Sequence, residues 1–185
     1  MAALLAIRTI LGLPFLTIFI GPGIKFITFV HITDALTAMF FGPIAGMAFG
    51  FAGDFLGFLA SGGAGGVYFP GFAFSEMATC FIFACFFFKR KITVPRVTIA
   101  WLINLFAVLI GLNTLWLMLV YGMGTIESFG LAYIELFHIN DMNPREAFVA
   151  GRVALNAIQA PLHIFILFVL LSRIRRIRNL ERYLS

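Results

Sequence analysis

The sequence predicts an all-α integral membrane protein with six transmembrane helices and both termini in the cytoplasm. First, 62% of the 185 residues are hydrophobic and 11% are charged, which excludes an ordinary soluble globular domain. Second, at about 20 residues per span, the length accommodates about six helices and no large domain outside the membrane. Third, most basic residues lie in two short runs beside apolar segments. A catalytic or ATPase domain would therefore belong to another chain.

Glycine, proline and charged residues delimit the predicted spans, because hydrophobic periodicity does not locate a helix that is apolar on all sides. Gly21-Pro22-Gly23 ends the first span, and Gly42-Pro43 ends the second. The glycine-rich stretch 61–66 ends the third, and the cluster that begins at Lys89 ends the fourth. A single membrane domain, 1–185, then contains spans at about 2–20, 26–41, 44–60, 70–88, 97–121 and 147–171.

The distribution of charge predicts the orientation of these spans. Basic runs lie at 89–96 and 173–182, whereas the connection 122–146 carries four acidic residues and one arginine. Because cytoplasmic loops are enriched in Lys and Arg, both termini are expected inside, with 61–66 and 122–146 outside. Basic residues next to a bilayer also contact anionic lipid, which explains the net charge of +5 without a nucleic-acid partner.

Polar side chains concentrate in the outer parts of the predicted spans. Ionisable groups are costly at membrane depth, so each of them suggests a functional role. Five spans contribute to this set: Lys25, Asp54, Glu76, Asn113, Trp116, Tyr121, Arg152 and Asn156. Their common level predicts an outward-facing ligand pocket. The glycines of 61–66 are expected to act as a hinge for an aromatic lid that includes Tyr68 and Phe69; the alternative is a flexible turn with interfacial aromatic residues.

Several of these residues also fit purely structural roles. Asp54 and Arg152 could neutralise each other as an ion pair, although the further polar groups at the same depth favour a pocket. Trp116 and Tyr121 equally fit an aromatic belt at the membrane interface. On the opposite side, Arg8 is predicted to extend from helix one to the cytoplasmic interface.

Two more acidic groups have structural interpretations. Glu76 fits charge complementarity with the N-terminus of its helix as well as it fits a ligand contact. His31 and Asp34 are three residues apart on the predicted second helix, a spacing more typical of an internal hydrogen bond than of a metal site.

Several motifs, in order along nearly the whole chain, carry a family resemblance. The more specific ones are Tyr68-Phe69-Pro70-Gly71-Phe72 and Asn113-Thr114-Leu115-Trp116; the others include Gly21-Pro22 with Lys25, Gly53-Asp54, and Arg152 with Asn156. With these motifs the sequence resembles the substrate-binding S components of energy-coupling factor (ECF) vitamin transporters, most closely the folate-specific type.

The resemblance implies a six-helix S-component fold in a prokaryotic cell membrane. It implies that such a subunit captures folate or a related vitamin outside the cell. It also implies docking, through Ala2 and Ala6 of helix one, onto a transmembrane coupling subunit driven by two ATPases. ATP is then used by the partner subunits, and no cofactor is expected on this chain.

A folate offers a hydrogen-bonding pterin, a flat aminobenzoyl ring and a glutamate with two carboxylates. We expect Asp54 to accept hydrogen bonds from the pterin amino groups, with Asn113 and Asn156 completing the polar edge. Stacking is expected from Trp116 and Tyr68, beside Phe69. Arg152 or Lys25 is expected to hold the glutamate.

Three other functions compete with this interpretation. One is an S component for another vitamin or a pterin-like compound. Another is a stand-alone small channel or carrier, which the absence of internal repeats disfavours. The last is an intramembrane enzyme, which lacks support because neither HExxH nor GxSxG occurs in the sequence.

Overall fold

The computed structural model describes residues 1–13, 18–19, 25–27, 29–62, 68–138 and 141–176, with the backbone alone for 18–19 and 25–27. Within these residues the chain forms seven α-helices, one π-helical segment and one two-stranded antiparallel ribbon. The elements follow in this order: α1 Ala2–Leu11, β1 Ile18–Phe19, β2 Lys25–Ile27, α2 Val30–Ala60, α3 Pro70–Phe87, α4 Val94–Ile103, the π-helical segment Asn104–Leu112, α5 Asn113–Tyr121, α6 Met123–Phe137 and α7 Pro144–Arg176.

Helix α1 is shorter than predicted. The expected first span, 2–20, is wrong because the helix ends at Leu11 and Ile18–Phe19 forms a strand paired with Lys25–Ile27. Ten helical residues rise about 15 Å, which is half the hydrocarbon thickness of a bilayer. The sequence signal for this stop is Gly12 followed by Pro14, because a proline disfavours helical geometry at the residue before it.

Helix α2 contains the break that was predicted between the second and third spans. Gly42 has φ 81° and ψ −174°, so the helix kinks there, directly before Pro43. A side chain at this position would be strained, and its Cβ would lie 3.0 Å from the ring of Phe88. Spans two and three are thus the two halves of one kinked helix, and the first half begins at Val30 and not at 26.

The predicted fourth and fifth spans are present as α3 and as the continuous helix Val94–Tyr121. Helix α3 begins at Pro70, whose fixed φ and missing N–H suit the first helical turn. The fifth helix changes to π-helical hydrogen bonding between Asn104 and Leu112, a feature that the sequence pattern did not predict.

The long connection after the fifth helix contains a helix that was not predicted. Gly122, with φ 76°, separates α5 from α6, and His138 ends α6 in the left-handed conformation. Helix α6 lies against α7 so closely that a Cβ at Gly130 would meet the Pro144 carbonyl and one at Gly151 would meet the Tyr133 ring. Helix α7 has 33 residues, about 50 Å, so the predicted span 147–171 is its middle part.

Four described helices are long and apolar enough to cross a membrane: Val30–Ala60, Pro70–Phe87, Val94–Tyr121 and Pro144–Arg176. Together with α1 and the kink in α2, they confirm the predicted class of an all-α membrane protein with six main helices. Large apolar side chains remain exposed around the bundle, among them Ile44, Phe74, Phe106, Leu119 and Phe165. An apolar exterior is what a lipid environment requires.

The main core lies where α2, α3, α4 and α7 meet. Its fully buried side chains include Ala35, Met39, Phe83, Phe87, Val97, Trp101, Leu167 and Leu171. A second, smaller cluster, formed by Ile126, Tyr133, Phe148 and Leu155, joins α6 to α7. The main core joins α3 to α7, and Leu117 of α5 packs against the second cluster. Helices α3, α5 and α7 carry most of the predicted site residues.

Candidate functional site

The first part of the site is an aromatic wall between α3 and α5. The indole Nε1 of Trp116 donates a hydrogen bond to Ser75 Oγ at 3.1 Å, and Ser75 is buried. The ring of Phe69 lies 5.8 Å from the Trp116 ring and 5.8 Å from the Phe72 ring, measured between centroids. Trp116 is therefore held against α3 and is not simply a member of an interfacial belt, whereas exposed Tyr121 fits a belt.

The second part joins the end of α2 to the residues before α3. Tyr68 donates its phenolic hydrogen to Asp54 Oδ2 at 3.0 Å. Its ring lies 5.3 Å from the rings of Phe55 and Phe58. Desolvation, followed by the hydrogen bond to Asp54 and its charge, raises the pKa of Tyr68 to about 12. The phenol thus stays protonated, and remains a donor, throughout the physiological pH range.

The third part is a positioned cation on α7. Arg152 Nη1 donates to Thr114 Oγ1 at 3.0 Å, and the guanidinium carbon lies 5.3 Å from the centroid of the Phe148 ring. Among the described residues, Arg152 makes no ion pair with a carboxylate. The alternative of a structural pair between Asp54 and Arg152, which the sequence analysis disfavoured, is not what the described residues show. The helix α7 arginine is instead fixed by a hydroxyl and an aromatic face, which leaves its charge available.

The two asparagines of the predicted site have different surroundings. Asn156 Nδ2 donates to the Arg152 backbone carbonyl at 2.8 Å, a bond within one turn of α7. Asn113 is the first residue after the π-helical segment, and its buried Oδ1 has no hydrogen-bond partner in the described part of the chain. A buried acceptor without a donor costs about 1–3 kcal/mol, and π-helical irregularities often accompany functional sites. Asn113 is thus suited to accept from a ligand.

The sequence analysis did not predict the buried ion-pair network of Arg8. Arg8 donates from Nε to Asp34 Oδ1 and from Nη2 to Glu76 Oε2, both at 2.6 Å. Only 5% of the Arg8 side chain is exposed, so the prediction that it extends to the cytoplasmic interface is wrong. The physical reason is that carboxylates on α2 and α3 satisfy the guanidinium in the interior, which lowers the cost of burying its charge.

Glycines on α2 make room for this arginine and for α3. A Cβ at Gly53 would collide with the Arg8 guanidinium, and one at Gly50 would lie 2.7 Å from the Glu76 carbonyl oxygen. The spacing of Gly46, Gly50 and Gly53 was a usable sequence signal, because small residues allow helices to approach closely. It indicated a close contact but not which residue would fill it.

The remaining predicted residues are placed as follows. Lys25 belongs to strand β2, opposite Phe19, and its side chain lies outside the described part of the structure. The hinge predicted at 61–66 lies outside it from residue 63 onward. Ala2 and Ala6, the predicted docking residues, are exposed on α1, away from the buried Arg8. Among the other predicted residues, Asp54 is hydrogen-bonded to Tyr68, the ring of Phe69 contacts the ring of Trp116, and Asn156 is hydrogen-bonded to the Arg152 carbonyl.

A cavity of about 130 Å³ lies between α6 and α7. Its lining is almost wholly apolar and includes Tyr133, Phe137, Met142, Ala147 and Ala150. None of the residues predicted to bind a ligand lines it. This cavity is therefore a packing feature of α6 on α7 and is separate from the polar groups described above.

Comparisons with known proteins point to one family. The family described as ECF transporter, substrate-specific component, matches residues 1–171. The folate transporter FolT of Clostridium novyi is 36% identical over 98 residues, 52% of this chain and 55% of that protein. The folate transporter FolT of Leuconostoc mesenteroides is 28% identical over 173 residues, 93% of this chain and 82% of that protein.

The fold has a counterpart among solved structures. The crystal structure of FolT bound with folic acid superimposes with a TM-score of 0.73 and 25% sequence identity. The superposition covers 93% of this chain and 90% of that one. The aligned part of the Clostridium novyi relative, by contrast, covers about half of that protein's length.

Proposed function

We propose that this chain, which belongs to the family of substrate-specific components of ECF transporters, binds a folate inside its helix bundle. The family membership makes the chain a multi-pass membrane transporter component and not an enzyme. Two relatives named as folate transporters, and the structural similarity to a FolT with folic acid bound, support folate as the ligand.

The observation that carries the proposal is the combination of an aromatic wall with a positioned cation. Phe69 and Trp116 present flat apolar surface of the kind on which a pterin or aminobenzoyl ring stacks. Arg152, held by Thr114 and Phe148 and without a carboxylate partner among the described residues, offers the charge that a glutamate tail requires. An amphipathic ligand with one flat end and one anionic end satisfies both.

The other roles follow from the same ligand chemistry. Asp54 accepts from the pterin amino groups, next to Tyr68. Asn113 contributes a carbonyl oxygen that has no partner among the described residues, and Asn156 completes the contacts with the polar edge of the pterin. Lys25 is a second candidate for the glutamate carboxylates. In this proposal, the site opens to the outside of a prokaryotic cell membrane, and both termini are cytoplasmic.

Transport requires partners that this chain does not supply. We propose docking through Ala2 and Ala6 onto a transmembrane coupling subunit, with two ATPase subunits that use ATP. Both alanines are exposed on α1, one turn apart, so a partner helix has access to their small side chains. In this scheme the chain itself binds no cofactor and no nucleic acid.

The test is folate binding to the purified chain in detergent, measured by quenching of tryptophan fluorescence. Arg152→Ala should weaken folate binding about 10- to 100-fold, because a hydrogen bond to a charged group contributes about 1.5–3 kcal/mol. The matched control is Arg145→Ala, which removes an exposed arginine whose partner is Glu127. Unaltered folate affinity in Arg152→Ala would remove the assignment of the anionic tail.

A ligand screen separates folate from the competing ligands. Native mass spectrometry of the purified chain against folate, reduced folates and other vitamins should retain a folate. Retention of a different vitamin, with no folate retained, would keep the family and change the substrate. Binding of no ligand, together with solute flux through liposomes that contain this chain alone, would favour a channel instead.

A further inference from the structure

We infer that Glu76 is a specificity-determining residue of this site: Oε1 accepts hydrogen bonds from the N–H groups of a heteroaromatic ligand edge, and Arg8 is the positioning residue that fixes the carboxylate. The inference rests on the proposed function and deepens it. The ligand edge it describes is a 2-amino-4-oxopyrimidine, which presents adjacent N–H donors.

Arg8 binds its two carboxylates unequally. Asp34 has no side-chain exposure and receives the Arg8 Nε hydrogen bond, whereas Glu76 is 24% exposed and receives the hydrogen bond from Nη2. Within the described residues, only Oε2 of Glu76 accepts a hydrogen bond. Asp34 therefore holds the guanidinium in the interior. Glu76 has its second carboxylate oxygen, Oε1, available to a donor that approaches the exposed part of its side chain.

The surroundings of Glu76 connect it to the other two parts of the site. The preceding residue, Ser75, holds the Trp116 indole, which places Glu76 one residue from the aromatic wall. The Arg8 guanidinium lies against Gly53, the residue before Asp54. On α3, Glu76 thus follows the residue that holds Trp116, and its partner Arg8 packs on α2 against the residue that precedes Asp54.

Backbone packing further restricts the position of this carboxylate. The Glu76 carbonyl oxygen lies 2.7 Å from the position that a Cβ of Gly50 would take, so α3 and α2 are in close backbone contact at this level. The Glu76 side chain has few accessible rotamers, because its backbone is packed against α2 and its carboxylate is bonded to the buried Arg8 guanidinium. Preorganisation of this kind lowers the entropy lost when a ligand binds.

The charge of the group also favours a ligand with donor groups. One guanidinium faces two carboxylates, so the formal charge of Arg8, Asp34 and Glu76 together is −1. His31, on the same helix as Asp34, also faces this carboxylate: its Nδ1 lies 3.9 Å from Asp34 Oδ2. N–H groups of a ligand at Glu76 Oε1 stabilise the remaining negative charge where it is accessible.

The test uses the ligand itself, because the pterin end of folate has the 2-amino-4-oxopyrimidine edge and the glutamate end does not. The probes are folate and a folate analogue in which hydrogen replaces the 2-amino group. The wild-type chain should prefer folate by about 10- to 100-fold, as expected for a hydrogen bond to a charged acceptor. In Glu76→Gln the preference should fall at least threefold, and the remainder is the contribution of Asp54, the other proposed acceptor of the amino group. The control, Glu135→Gln, changes an exposed glutamate on α6 and should keep the wild-type preference.

Three results would overturn the inference. One is a wild-type chain that binds both compounds equally. Another is a folded Glu76→Gln protein that keeps the full preference. The third is the same preference in Glu76→Asp, which retains the charge but withdraws the oxygen by one methylene group. A wild-type chain that binds no folate at all would instead overturn the proposed function, so the two failures are distinguishable.

The role of Arg8 is tested by the same ratio. Arg8→Lys retains a positive charge but cannot bridge two carboxylates with the fixed geometry of a guanidinium. The preference for folate over the analogue should therefore fall at least threefold, while the affinity for p-aminobenzoylglutamate stays unchanged. A purely structural role predicts equal losses for all three ligands, and that pattern would contradict the positioning role.

Discussion

Trp116 on α5 donates its indole hydrogen to Ser75 on α3 across 3.1 Å, which makes one tryptophan part of the candidate site and leaves the other outside it. The second tryptophan, Trp101, is 1% exposed and stacks on His163 with a centroid distance of 4.7 Å. The two indoles thus report on different regions of the bundle.

Folate quenching of intrinsic fluorescence should therefore depend on Trp116. We expect Trp116→Phe to remove most of the quenching and to weaken folate binding several-fold, because it removes the Ser75 bond and part of the stacking surface. Trp101→Phe should keep the quenching and the affinity. Equal quenching in both variants would place the ligand away from the α3–α5 wall.

Tyr68→Phe tests the bond to Asp54 while the ring and its contacts with Phe55 and Phe58 remain. Burial, followed by the hydrogen bond to Asp54 and its charge, raises the folded-state pKa of Tyr68 to about 12 from an ordinary value near 10, so the bond from the protonated phenol is fully present below pH 10. This contribution should be lost as the pH rises from about 10 to 12. The difference in unfolding midpoint between the wild type and Tyr68→Phe should be constant from pH 6 to 9 and shrink above 10. A difference that changes between pH 6 and 9 would assign the titration to another group.

Gly53→Ala tests how tightly Arg8 is packed. The added methyl group collides with the guanidinium, so we expect a loss of about 1–3 kcal/mol, seen as a lower midpoint of thermal unfolding in detergent. Gly57→Ala is the matched control on the same helix, because nothing lies within 4 Å of its Cβ position. That variant should be neutral or stabilised by up to about 1 kcal/mol. Equal midpoints in the two variants would show that Arg8 moves aside at no cost.

Arg175→Ala tests a contact between the end of α7 and the end of α3. Arg175 Nη1 donates to the Phe87 carbonyl at 3.3 Å, which also accepts from the Arg90 N–H, and to the Arg90 carbonyl in the turn after α3. We expect a loss of about 1 kcal/mol in the free energy of unfolding. Arg173→Ala, which removes an exposed neighbour, should change stability by less than about 0.5 kcal/mol. A larger effect at Arg173 would indicate that the net positive charge, and not the capping contact, is what stabilises this end.

Glycine and proline located some helix ends correctly and misplaced one. Pro70 starts α3 as expected, and Gly42 with Pro43 breaks the second helix from the third, because proline and glycine act on their own backbone. The end of α1 was misplaced, although Gly12 and Pro14 already marked it. Helix α6 was missed because the connection was interpreted from its acidic charge alone.

The ligand-binding roles of the selected residues stay predictions. Arg152, Trp116 and Asp54 were selected as polar or aromatic groups at membrane depth, and Tyr68 as part of an aromatic lid; the structure gives each a defined neighbour. The neighbours themselves were not predictable. Arg8 meets residues 26 and 68 positions away in the chain, and no local pattern encodes such a pairing.

The sequence by itself determined the membrane class, the approximate number of helices and the polar residues worth attention, because hydropathy and helix-breaking residues act locally. Only the tertiary structure decided that Arg152 is held by Thr114 and that Arg8 bridges Asp34 and Glu76. The reason is the cost of a buried charge, which is reduced by whichever distant groups the packing of the helices brings within hydrogen-bonding distance.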